Sequence, residues 1–317
     1  MKYDFLDHKI RCSELGHLLT HLPTIREFTK EDEERLKVIR HIKIHGVHPE
    51  TKRKNKYELL VKEHTELVRL KRGILIDELP TGAITYLKKV FNRFYFDRYR
   101  NLDTKQLRKG TVQEQQGIDL ISYIHGEEYE KNEVRYSNDY LQGEMDIVKR
   151  IVIDNKCSYD LESFDNVESL ILDYESQVCG YMILLRDNGI KLESYTKGKV
   201  CYTLVNNPLD EILSEKDRLR WKYNITDDDN APDDYWDEIM QIEKNMIFDL
   251  EVFKEENPYY PLTNPILDFH IPKEFRIKEF DVELTPELEQ HIERRCKMAL
   301  KWLQDRAKMF NDKYEQL

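Results

Sequence analysis

No apolar run in this 317-residue chain approaches the roughly 20 residues that span a bilayer, so the sequence predicts no transmembrane helix. Its opening, MKYDFLDHKIRCSELG, lacks the apolar segment of a secretion signal, and the expected location is the cytoplasm. Cysteine is sparse: Cys12, Cys157, Cys179, Cys201 and Cys296 stand far apart, with no CxxC pair. That spacing argues against a zinc ribbon, an iron–sulfur cluster or a disulfide framework and leaves packed, reduced thiols. An excess of positive charge is missing too. At a net charge of −11 the chain is not an indiscriminate nucleic-acid binder, although a local basic groove is still compatible with that total. Internal repeats and sustained heptads are also lacking.

What is present is charge of both signs: 35% of residues are charged against 40% hydrophobic, the balance of a globular chain with much solvated helix surface. The length suffices for one large domain or a core with substantial additions. Residues 11–100 read as helical, through the acid–base mixture after Glu33 and the run YELLVKEHTELVRLKRGIL. Pro80-Thr81-Gly82 interrupts that part, and AITYLKKVFNRFYFDRYR resumes a helix with aromatic and apolar positions inward. RKGTVQEQQGIDLISYI predicts a helix from near Gly110, after which residues 134–158 alternate with the period of strands. VESLILDYESQVCGYMILLRDNG returns to helix and stops at Asn188-Gly189, and KVCYTLVNNP predicts a buried strand. A helix over PLDEILSEKDRLRWKYN, an acidic turn at Thr226 to Asp234 and one further helix over YWDEIMQIEKNMIFDLEVFKEEN follow. EFRIKEFDVEL reads as a late strand, and Thr285-Pro286 opens a long C-terminal helix by N-cap and first-turn preferences. This order predicts an α/β fold with a mixed sheet. The expected organisation is a mainly helical part over 1–105 packed on a core at 106–225, then a helical extension over 226–317 with one late strand.

The segment GEMDIVKRIVIDNKCS, Gly143 to Ser158, carries the chemistry. It reads as two short apolar strands joined by a basic turn, yet it holds Asp146, Asp154 and Lys156. Charges on half-buried strands need a metal, a substrate or each other, because an unpaired buried charge costs several kcal/mol. Side chains alternate along a strand, so Asp154 and Lys156 share a face while Ile153 and Asn155 take the other. If 148–151 is a tight turn, Asp146 comes alongside. Two carboxylates then suit a hard divalent cation, Mg²⁺ above all, with substrate phosphate completing its oxygens. Lys156 is placed to stabilise an attacking hydroxide and a five-coordinate phosphorus.

Asp146, then Asp154-Asn155-Lys156 on a hairpin resembles the PD-(D/E)xK nuclease superfamily, and within it the phage-type exonucleases related to lambda exonuclease and the RecB nuclease domain. KGTVQEQQGIDLI is similar to the helix that supplies an upstream glutamate, here Glu114. YESQVCGYM matches the family's Gln-x-x-x-Tyr motif, giving Gln177 and Tyr181 on one helix face. RCSELGHLLT is similar to the Arg-x-Ser segment, at Arg11 and Ser13, where the family contacts a terminal phosphate. Two departures stand out: the proline before the first acid is Met145, and the usual apolar residue between Asp154 and Lys156 is Asn155, which needs hydrogen-bond partners in the core.

The resemblance implies a restriction-endonuclease-like mixed central sheet flanked by helices. It implies a Mg²⁺-dependent exodeoxyribonuclease, with Mn²⁺ as the alternative ion, acting 5′ to 3′ on double-stranded DNA ends in phage recombination. Glu114, Asp146, Asp154 and the carbonyl of Asn155 would be the metal ligands; Lys156 would stabilise the nucleophile; Gln177 and Tyr181 would position the scissile strand. A ring-shaped trimer, a single-strand-annealing partner and a phage or prophage origin in a bacterial host follow from the same resemblance. An endonuclease or single-strand nuclease on the same core, and a non-catalytic DNA-binding or scaffolding protein, are the alternatives. At the level of residues, Asp146 and Asp154 have the alternative of a surface ion-pair set with Lys149, Arg150 and Lys156, and Asp119 is an alternative to Glu114. Arg11 and Ser13 have the alternative of a plain helix start. His41, His45 and His48 read as surface histidines, TKRKNK at 51–56 as a solvated face, and FNRFYFDRYR as core packing with Arg93, Arg98 and Arg100 turned to DNA.

Overall fold

A computed structural model describes residues 3–19, 28–54, 56–71, 79–99, 104–226, 230–264 and 271–315. The chain divides into a unit of Met1–Leu19 with Gly82–Leu317 and a second unit of Thr20–Thr81.

In the larger unit the β-branched start of β5 (Val152–Cys157) buries both its faces, as a central strand requires. It pairs antiparallel with β4 (Ile147–Val148) and parallel with β6 (Lys197–Thr203). The late strand β7 (Ile277–Glu283) lies antiparallel on β6, so the mixed sheet runs β4-β5-β6-β7. A second sheet places β1 (Ile10–Arg11) parallel to β3 (Leu141–Glu144), with β2 (Arg135–Ser137) antiparallel on the other side. Arg11 therefore belongs to a strand where the sequence reads helix; the pairing of Ile10 and Arg11 with β3 is long-range and leaves no local trace.

Two helices sandwich β5. On the Ile153 and Asn155 face lies α5 (Glu114–His125), whose Ile118 and Ile121 pack with Ile147, Ile153 and Cys201. The predicted single helix from Gly110 is two: α4 (Lys105–Val112) ends, and the chain turns at Gln113 with φ −103° and ψ 11° before α5. That turn lets α5 cross the strand so closely that a Cβ on Gly117 would lie 2.2 Å from the Asn155 amide nitrogen.

On the Val152, Asp154 and Lys156 face lies α7 (Leu172–Asp187), the crossover between β5 and β6. Short α6 (Leu161–Asp165), capped by Asp160, leads into it. Every residue from Ser176 to Leu185 in α7 is buried, the mark of a helix enclosed on all sides. Val178 meets the sheet at Gly198, while Gly180 meets Cys12 and Leu15 of a short 3₁₀ helix, Cys12–His17. The helix stops where the sequence predicts, with Gly189 left-handed at φ 70°.

After α8 (Leu209–Tyr223), the single helix predicted from Tyr235 is again two, α9 (Asp233–Met246) and α10 (Leu250–Glu256). Asn206 explains the break: its Oδ1 accepts from the backbone N–H groups of Phe248 and Asp249, both at 2.8 Å, and Asp249 then caps α10. Thr285 caps α11 (Pro286–Tyr314), as expected from its sequence. Phe91 and Tyr95 of α3 (Thr81–Phe96) are buried against Phe310 of α11, whereas Phe94, Phe96 and Tyr99 of the same run are exposed; Arg93 lies over the Phe94 and Tyr99 rings. Arg100 and the centre of the acidic turn, 227–229, lie outside the described residues.

In the smaller unit α1 (Lys30–His45) starts on a capping box between Thr29 and Asp32 and ends at left-handed Gly46. Leu36 and Ile39 pack with Leu67 of α2 (Val61–Lys71), and Arg35 forks onto Glu63 at 2.6 and 2.8 Å. The end of the predicted helical run, 72–75, lies outside the described residues. The His41 and His45 rings lie 4.3 Å apart between centroids, tilted by 42°.

Candidate active site

Asp146 occupies a bend between β3 and β4, not the strand the sequence suggests. Pairing of Ile147 with Ile153 still sets it beside β5, where one carboxylate oxygen accepts the Asn155 N–H at 2.6 Å. Asp154 and Lys156 point to the same side as alternation requires, with Nζ 2.8 Å from Asp154 Oδ2. Asp154 is 1% exposed, and its other oxygen accepts from Gln177 Nε2 at 3.2 Å. Gln177 joins the whole set: Lys156 donates to its Oε1 at 3.2 Å, and its Nε2 lies 2.6 Å from the buried Tyr181 hydroxyl. The four-residue spacing in α7 stacks these two side chains on the face turned to the sheet.

Asn155 faces the other side and is satisfied there. Its Oδ1 accepts the Thr203 hydroxyl at 2.8 Å, and its amide nitrogen reaches the Glu114 carbonyl at 3.4 Å. Met145 fills the proline position as a fully buried side chain. Of the ion-pair alternative, Lys156 does meet Asp154, which is buried, while Lys149 and Arg150 turn to Glu127 at 3.0 and 3.5 Å.

Burial, and then the charge of Asp154, pushes the Asp146 pKa well above the usual carboxylate range. Burial raises Asp154 as well, against the pull of Lys156. For Lys156 burial acts downward, but Asp154 and Asp146 outweigh it and raise the ammonium's pKa. The centre sets two carboxylates against one ammonium. The Lys156 ammonium lies 2.8 Å from the buried Asp154 Oδ2 without a hydrogen bond aligned on that oxygen. Buried Asp154 and half-buried Asp146, with one Asp154 oxygen lacking an aligned donor, fit a hard divalent cation that takes its remaining ligands from water and phosphate.

Glu114, first residue of α5, is not gathered in with them; its carboxylate pairs with Lys131 at 2.8 Å. Among the described residues no three His, Cys, Asp or Glu side chains converge as a metal-holding group, a result that also covers His41, His45 and His48. Asp119, the alternative, accepts from Gln115 at 2.8 Å instead. Arg11, at the end of β1, and Ser13, in the 3₁₀ helix, are exposed, but Ser13 is not the cap: Arg11 holds the N-cap position and makes no side-chain cap bond. Next to Ser13, Cys12 is buried beside Gly143 and Gly180.

Sequence reasoning missed two contributors. The Tyr174 ring lies beneath the Lys156 ammonium, 4.5 Å away, and its place three residues before Gln177 was a readable helical signal. Lys131, in the acidic stretch EEYEKNE, carried none. Gly143 has a particular duty: a Cβ there would lie 2.7 Å from the Tyr181 ring and 3.1 Å from Cys12 Sγ. Gly143→Ala is therefore expected to cost about 1–3 kcal/mol by overpacking and to tilt Tyr181 away from Gln177. Chemical denaturation checks the first effect, and an unchanged midpoint contradicts it.

Neither a family profile nor a curated protein matches the chain. Among solved structures, a phage related exonuclease from Haemophilus somnus 129PT superposes with a TM-score of 0.53 at 18% identity, over 96% of this chain and 97% of that one. This chain has that exonuclease's fold. An alkaline exonuclease from Laribacter hongkongensis aligns over 98% of this chain and 95% of its own, with a TM-score of 0.47 and 9% identity.

Proposed function

We propose that the chain is a divalent-metal-dependent deoxyribonuclease, an exonuclease that digests double-stranded DNA from its ends, 5′ to 3′, in phage recombination. The observation that carries this reading is the meeting of buried Asp154 and half-buried Asp146 with the Lys156 ammonium beside β5. The exonuclease fold supports it. Asp146 and Asp154 are the primary ligands for Mg²⁺ or Mn²⁺, with Glu114 and the Asn155 carbonyl as further oxygens. A bound cation of this kind supplies Lewis acidity to the phosphate and eases deprotonation of a water.

The chain's own groups do the rest. Lys156 offers a fixed ammonium to the negative charge that develops on phosphorus, and Tyr174 beneath it limits where that ammonium can go. Gln177 locks Asp154, Lys156 and Tyr181 in mutual register, so none has to reorganise during reaction. Arg11 and Ser13 present an exposed cation and hydroxyl to a DNA terminal phosphate. A ring-shaped trimer, a single-strand-annealing partner and a place in a phage-infected bacterial cytoplasm belong to the same reading. No helix among the described residues is long and apolar enough to cross a membrane.

Linear 5′-phosphorylated duplex and a closed circle of the same sequence, each with Mg²⁺ and with EDTA, test this. Digestion of the linear form alone, abolished by EDTA, is expected. Cutting of the circle converts the reading to an endonuclease, and inertness toward both refutes it.

A pH effect follows from Asp146. Its folded pKa is raised, so the stability linked to its protonation is full below the ordinary carboxylate range and is lost as pH climbs through the folded value. Without metal, Asp146→Asn escapes that loss. Melting in EDTA at pH 5 and pH 8 should show the variant gaining on the wild type as pH rises; a constant gap disproves the assignment.

A further inference from the structure

We infer that Lys131 is a competitor of the metal ion for Glu114 and, once displaced from that carboxylate, a contact for a phosphate of the DNA backbone. The inference rests on the nuclease reading above and extends it to a residue outside the motif. Lys131 stands in the segment between α5 and β2, and its ammonium lies 2.8 Å from Glu114 Oε2. Its position is built. The next residue, Asn132, donates its N–H to the carbonyl of Asp146 at 2.7 Å and its side-chain amide to the carbonyls of Met145 and Val134, both at 2.9 Å. Farther back, Lys149 Nζ holds the Glu128 carbonyl at 2.7 Å, and Ser122 Oγ accepts the Tyr129 N–H at 3.1 Å. The backbone carrying Lys131 is thus fastened to the same bend that carries the Asp146 carboxylate.

Charge makes the pairing conditional. Glu114 raises the ammonium's pKa most, and Asp146 and Glu144 act the same way, so Lys131 sits in the field of the site's acids. In the arrangement described, Glu114, Asp146, Asp154 and Glu144 stand against Lys131, Lys156 and the Arg135 that pairs with Glu144 at 3.2 Å: four carboxylates against three cations. A divalent cation between the aspartates reverses that balance, repels Lys131 and draws Glu114. With about a third of its side chain already exposed, Lys131 then has a free ammonium beside the place where the scissile phosphate must lie. A lysine with nothing but a structural duty needs no such fastening next to the reacting centre.

The experiment uses full-length protein with Lys131→Met and Lys131→Arg. Calcium binding without DNA is followed by calorimetry, and binding of a duplex end in Ca²⁺ by fluorescence anisotropy across a salt series. Lys131→Met should bind the cation roughly threefold tighter, the size expected when one exposed ion-pair competitor is removed. The same variant should bind DNA more weakly, and its slope of log affinity against log salt should flatten by about one. Lys131→Arg should return both properties to wild-type values. If wild type binds cation and DNA while Lys131→Met matches it in both, the role of Lys131 is overturned and the nuclease reading stands. If wild type binds neither, both fall together.

Discussion

Asp154→Asn is expected to lower hydrolysis of linear duplex by at least about 10³-fold, a loss of roughly 4 kcal/mol of transition-state stabilisation. The substitution keeps the shape of a side chain that is 1% exposed and held by Gln177 at 3.2 Å. It removes the negative charge that a cation needs there and relieves the repulsion with Asp146. The folded state should therefore suffer little: in EDTA the melting temperature should equal or exceed that of the wild type. Mg²⁺ should stabilise the variant much less than the wild type, for which a concentration 100-fold above the dissociation constant contributes about 2.7 kcal/mol. Paired melting curves and a digestion assay read all three effects. Hydrolysis within tenfold of wild type would show that Asp154 is not at the reacting centre.

Lys156→Met has a different signature. Its ammonium is the near cation for Asp154 at 2.8 Å and also meets Gln177 and Tyr174. Losing a charge aimed at the transition state should reduce kcat about 10²–10³-fold with little change in KM. Unlike the asparagine variant, this one leaves buried Asp154 and half-buried Asp146 without their near ammonium, and an unpaired buried charge costs on the order of 3–5 kcal/mol. The variant should melt well below the wild type in EDTA, and Mg²⁺ should recover much of the difference by supplying the missing charge. A full-strength kcat, or a melting loss that Mg²⁺ leaves untouched, contradicts the placement of Lys156 between the aspartates and the substrate.

The centre of the molecule was readable because its chemistry sits on short-period patterns. Alternation put Asp154 with Lys156 and turned Asn155 to the core; four-residue spacing put Gln177 with Tyr181; Thr285-Pro286 and Asn188-Gly189 marked helix ends. What the sequence hid depends on distant partners. The break at Ile247–Asp249 has no proline or glycine to announce it, because Asn206, some 40 residues earlier, captures the backbone donors. Strand β1 exists through β3, and Lys131 finds Glu114 across the length of α5. Glu114 itself was legible as a helix-starting acid, but its present partner was not.

The outer strand of the main sheet also has a practical meaning for anyone dividing the gene. Strand β7 comes from Ile277–Glu283 and covers one side of β6 along seven paired positions. A fragment stopped near residue 225 keeps Asp146, Asp154, Lys156, Glu114 and Lys131 and yet bares a row of unpaired backbone donors and acceptors on Lys197–Thr203. Such an edge recruits other chains. Expressed in that shortened form, the protein should be lost to precipitation although its chemical groups are complete.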